Sequence, residues 1–116
     1  MKKSGELLKD YRKSRGLTLQ ELANLTGYSR SYLSLLESSN RPLTDDCMYK
    51  IMKHLKASKI EISRLEYVLA REAPSISFNT ENLKPHQKDL LIFFLGSINK
   101  LNKEQCDEIL EKIRNK

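Results

Sequence analysis

Apolar residues recur along this chain at intervals of three and four, and seven such patterns follow one another, separated by polar or Gly/Pro breaks. The spacing predicts an all-α protein. The first helix is expected from Ser4 or Gly5 to about Arg15, with Leu8 and Tyr11 inward, Leu7 half covered and Leu17 plugging the gap after Gly16. The second opens at Thr18, whose hydroxyl accepts a free backbone N–H while Glu21, three residues on, reaches back in a capping box. Leu22 and Leu25 give it an apolar side, Ala23 admits a closely crossing neighbour, and Gly27 ends it in the left-handed conformation. Ser29 caps the third helix. There Leu33 and Leu36 point inward, which leaves Arg30, Ser31, Tyr32, Ser34 and Leu35 on the outer face or its edge. Pro42 stops any continuation, and Thr44, helped by Asp45 and Asp46, caps a fourth helix with Met48, Ile51, Met52 and Leu55 as its core side. Ser58 and Glu61 make another capping box, opening a fifth through Ile62, Leu65, Val68 and Leu69 to about Glu72.

The pattern then breaks. Residues 73–84, with Pro74 near their head and many small polar side chains, read as a linker; Ile76 and Phe78 alternate with serines, so a short extended piece docking on a partner is the competing reading. Residues 85–116 resume as a helical hairpin. Pro85 suits a first helical turn, and the helix is expected to run to about Leu101; Asn102 and Gln105 form a capping box for the last, with Cys106, Ile109, Leu110 and Ile113 on one side. The run from Leu90 to Leu95 is apolar on every face of its helix. A hairpin of about thirty residues cannot bury six consecutive apolar side chains by itself, so it must pack on something else.

The residues from Thr18 to Glu37, with Ala23, Gly27, Leu33 and Leu36 at their spacing and Leu19-Gln20-Glu21-Leu22 before them, resemble the helix-turn-helix of the phage-repressor (Cro/cI-type, XRE) family. The resemblance covers roughly residues 4 to 70 and includes Gly5 to Leu8, Arg12 to Leu17, and the Arg41-Pro42 loop. It implies a five-helix, lambda-repressor-like DNA-binding domain over residues 1–72, in which the segment from Ser29 to Ser38 reads bases in the major groove. It further implies that Arg12 pairs with Glu37 to orient that helix, and that Asn40 and Arg41 lie along the DNA backbone. Many relatives begin the second helix with a phosphate-binding Gln, whereas this chain has Leu19 there and Gln20 only after it. In some biofilm and sporulation regulators of the family, a similarly arranged hairpin both dimerises and accepts a homologous inhibitor.

Charge sharpens the division of labour. The net charge is +6, of which residues 1 to 58 carry +5 and residues 59 to 116 only +1. A basic excess confined to the helix-turn-helix half favours a polyanion as its partner. Two cysteines, Cys47 and Cys106, lack metal-ligand spacing and read as buried free thiols rather than a disulfide or redox pair. His54 and His86 sit in separate helices without a nucleophile or carboxylate at a justifying interval, and there is no Gly-rich phosphate loop, so catalysis, metal and cofactors are not expected. No apolar run approaches the ~18 residues of a membrane span and no signal-peptide pattern is present, which predicts a cytoplasmic protein.

The expected function is sequence-specific binding of a double-stranded DNA operator by a transcriptional regulator, a repressor by preference. Arg30, with Ser31, Ser34 and Leu35, is expected at the bases; Arg30 can fork onto guanine O6 and N7, and Leu35 either meets a thymine methyl or packs under the loop. Lys9, Lys13, Arg15, Thr18, Gln20, Ser29, Tyr32, Asn40 and Arg41 are the expected backbone contacts. Met1-Lys2-Lys3 reads as a disordered tail or as an arm touching phosphate. Leu91, Phe94, Leu95, Ile98, Leu101, Ile109, Leu110 and Ile113 are expected to build a homodimer, or a tetramer, because two recognition helices are needed for a full operator. The alternative is a hairpin that chiefly binds a protein antagonist or antitoxin-type partner, which then controls DNA binding.

Overall fold

The chain folds into seven α-helices and one 3₁₀ turn, seen in a computed structural model that describes residues 1–115. Five of the seven helices start at a side-chain cap. Thr18 accepts from the Glu21 N–H at 3.1 Å while Glu21 accepts from the Thr18 N–H at 2.9 Å, and Ser58 and Glu61 repeat the same reciprocal pair at the same distances. Ser29, Thr44 and Asn102 accept from the N–H three residues ahead. The helices are α1 (Ser4–Ser14), α2 (Leu19–Thr26), α3 (Arg30–Glu37), α4 (Asp45–His54), α5 (Lys59–Glu72), α6 (Pro85–Ser97) and α7 (Lys103–Arg114), and these caps open α2, α3, α4, α5 and α7. No strand forms among the described residues, and none of their helices is long and apolar enough to cross a membrane.

Two compact units result, Met1–Ile76 and Ser77–Lys116. In the first, α3 packs against both α1 and α2, α5 lies on α1, and α4 lies on α2. Their inner faces meet in one core containing Leu8, Leu22, Leu33, Leu36, Met48, Ile51, Met52, Leu55 and Leu65, all fully buried. Truncating any one of these leucines to Ala removes about 2–5 kcal/mol of stability. Gly27, at φ 82°, donates its N–H to the Ala23 carbonyl and turns the chain from α2 into α3.

Three expectations are corrected here. Leu25 is 48% exposed, and Thr26 takes the inward place, satisfying its hydroxyl on the Leu22 carbonyl at 2.9 Å. Leu7 is buried rather than half covered, since α5 lies over α1 there. The sixth helix stops at Ser97; Ile98–Lys100 continue as a 3₁₀ turn in place of a helix to Leu101.

The polar ties of this unit join its sequence-distant ends. Ser4 donates both its N–H and its hydroxyl to the Glu72 carboxylate, at 2.9 and 2.6 Å, so the last turn of α5 caps the start of α1. Gly5 makes a second close approach: a Cβ there would stand 2.3 Å from the Leu36 carbonyl oxygen and 2.7 Å from that of Glu37. Only glycine lets α1 come this near the end of α3.

The second unit is of another kind. Among its described residues none is buried; Leu91, Phe94, Leu101, Cys106 and Ile109 are half-buried, and Leu90, Ile92, Phe93 and Leu95 are exposed at 60–77%. Both cysteines are free, Cys47 buried and Cys106 half-buried.

Candidate nucleic-acid interface

The outer face of α3 follows from its inner one. With Leu33, Leu36 and Glu37 turned into the core, residues 30, 31, 34 and 35 share the opposite face, and they line one open cleft of ≈ 410 Å³ together with Leu19 at the start of α2. The four candidate base-contacting residues Arg30, Ser31, Ser34 and Leu35 are thus brought together. Leu35 is 40% exposed in that cleft, while its carbonyl accepts from the Asn40 and Arg41 N–H groups at 3.0 and 3.2 Å and so holds the following loop.

An ion pair braces the helix from behind. Arg12 Nε donates to Glu37 Oε2 at 2.7 Å and Nη2 to Oε1 at 2.9 Å, with Nη1 on the Leu17 carbonyl at 2.7 Å; both side chains are below 10% exposed. The Glu37 carboxylate raises the Arg12 pKa further, so the guanidinium stays charged. Its bidentate geometry fixes the C-terminal end of α3 against α1.

The other candidate residues divide by what already engages them. Thr18 and Ser29 are exposed caps whose hydroxyl hydrogens remain available, since each oxygen is used there as an acceptor. Gln20 donates to Asn24 at 3.0 Å and Asn40 to the Ser38 hydroxyl at 2.9 Å, all on the surface. Lys9 and Lys13 are exposed on α1, outside the cleft. Arg15 is half-buried and engaged by the fold. Its guanidinium meets Glu61 at 2.9 and 2.7 Å and the Leu55 carbonyl at 2.8 Å, which makes it a clamp between α1, the end of α4 and α5. Arg15, with the Ser58 N–H, pulls the Glu61 carboxyl down to about 2.

Sequence reasoning passed over the edge of α3. Arg41 lies 5.7 Å from the Tyr32 ring centre, the Tyr32 and Tyr28 rings meet at 5.3 Å, and Lys50 of α4 sits 4.6 Å over Tyr28. Tyr32 also donates to the Cys47 sulfur at 3.8 Å, and that thiol pushes both phenols' pKa up, keeping them neutral donors. The result is a strip in which two cations flank two aromatic rings, each cation held by its ring's quadrupole.

A helix presenting an arginine, two hydroxyls and a leucine from an open cleft, capped by Ser29 and entered through a glycine turn, is the geometry of a helix-turn-helix. A family model described as a helix-turn-helix domain matches residues 5–65, more than half of the chain. The chain belongs to the helix-turn-helix domain family. It is by that membership a DNA-binding regulator, and the matched residues take in α1 from its second residue, α2 to α4, the cleft and the first half of α5. No curated protein and no solved structure matches the chain.

Proposed function

We propose that this helix-turn-helix protein is a sequence-specific transcriptional regulator of the phage-repressor (Cro/cI-type, XRE) kind, a repressor that reads the major groove of its operator with α3. It acts in the cytoplasm by binding rather than catalysis. The observation that carries this reading is the cleft itself: Arg30, Ser31 and Ser34 stand exposed on one face while the Arg12–Glu37 pair fixes the helix that bears them. Arg30 supplies the bidentate fork for guanine, and the two serines bond to bases or to phosphate. Thr18, Gln20, Ser29, Tyr32, Asn40 and Arg41 border that face and serve the sugar-phosphate walls, and Lys9 and Lys13 add longer-range attraction.

The second unit supplies the second recognition helix by self-association. A unit of this size with no buried side chain among its described residues needs a partner, and α6, the turn after it and α7 offer Leu91, Phe94, Leu95, Ile98, Leu101, Ile109, Leu110 and Ile113. A protein antagonist is the second reading, favoured by one observation: exposed Leu90, Ile92, Phe93 and Leu95 spread over most of the circumference of α6, more than one two-fold contact covers.

Selection of bound duplex from a random pool, followed by salt titration, tests the whole reading. Arg30→Ala should weaken the selected operator about tenfold or more while leaving random duplex nearly unchanged. Equal loss on both assigns Arg30 to phosphate, and no salt-sensitive affinity for any duplex refutes DNA binding. Solution mass of the full chain, alone, decides between self-association and a purely foreign partner.

A further inference from the structure

Resting on the DNA-binding reading above, we propose that Leu19 and Leu35 form an apolar seat for the C5 methyl group of a thymine lying beside the base pair that Arg30 contacts. The two leucines come from different helices, the first residue of α2 and the sixth of α3, yet they line the same open cleft as Arg30, Ser31 and Ser34. Leu19 is half-buried with part of its surface against the core, so it is a fixed wall rather than a mobile side chain. Leu35 is 40% exposed, and its main-chain carbonyl, not its side chain, secures the Asn40-Arg41 loop. The side chain is therefore left to the cleft.

The chemistry of the major groove selects the occupant. Base edges there present nitrogen and oxygen donors or acceptors, and thymine alone among the four bases adds an apolar group. A cleft whose lining mixes one guanidinium, two hydroxyls and two leucines matches a guanine edge next to a thymine methyl. It also gives Leu19 a role in choosing sequence rather than in holding backbone.

The test replaces thymine by deoxyuridine, one position at a time, in each half of the selected operator, which removes the methyl and keeps every hydrogen bond. Wild-type full chain should bind about fourfold more weakly when the seated methyl is removed, the equivalent of one buried methyl group. Leu35→Ala should abolish that difference, binding thymine and uracil operators alike, and Leu35→Met should restore it. Because the first comparison uses wild-type protein, misfolding of a variant cannot mask the result. Specific binding that is indifferent to every methyl overturns the seat and assigns the leucines to deoxyribose; a thymine preference that survives both Leu35→Ala and Leu19→Ala overturns it too. Loss of all duplex affinity in the wild type would instead overturn the reading beneath it.

Discussion

The two units of this chain solve opposite problems with similar helices. In Met1–Ile76, five short helices close on one core and tie their polar groups to one another: Arg12 to Glu37, Arg15 to Glu61, Ser4 to Glu72. In Ser77–Lys116 the apolar residues are as dense, but Leu90, Phe93 and Ile113 remain more than 60% exposed. The difference lies in amphipathicity. In α3 or α4 every second or third residue is polar and one stripe turns inward, whereas α6 carries six apolar residues in succession and has no polar back. A helix of the first type completes a domain, and one of the second type, on the reading proposed above, completes an assembly.

The comparison breaks most sharply at the assembly. Leu95→Asp should raise the dissociation constant of a homodimer roughly a thousandfold, since each copy loses about 2 kcal/mol and a two-fold contact counts the loss twice. Sedimentation equilibrium reads it, and the melting of the first unit should not move. A mass that stays dimeric would place the contact elsewhere. Within the closed unit, Glu37→Ala should cost about 3 kcal/mol in urea unfolding, because it leaves the Arg12 guanidinium buried beside no carboxylate. Gly5→Ala should cost about 2 kcal/mol by pushing α1 from the end of α3, and a loss below that of an exposed Gly→Ala change would show that the two helices are not so close.

The smallest effect is that of pH. Glu61 titrates near 2 in the fold against an ordinary value of 4.5, so its contribution is complete above 4.5 and fades as pH falls through 2. The urea midpoint should drop over that window and drop less in Glu61→Gln. A parallel fall in both would assign acid lability to other carboxylates.

Much of the closed unit could be read from one dimension. Thr18, Ser29, Thr44 and Ser58 announce helix starts because capping is a local bargain between residues three apart. Leu33 and Leu36 likewise reveal which face of α3 is inner, and so which residues share the outer one. What stayed hidden depends on residues far apart in sequence. Nothing near Gly5 foretells the carbonyls of Leu36 and Glu37 against it, nothing near Arg15 names Glu61, and Leu25 looks as apolar as Leu22 until Thr26 is seen to bond its own helix. The Arg41, Tyr32, Tyr28, Lys50 strip gathers side chains from a loop, a helix, a turn and another helix, so no interval along the chain could suggest it.

Ser4 and Glu72 meet through two hydrogen bonds, so the beginning and the end of the recognition module emerge side by side. A module with adjoining ends behaves as a cassette: a short peptide bridging them leaves every packed helix in place and lets the chain be reopened at the exposed Asn40–Arg41 loop, or the whole piece be set into a surface loop of a host protein.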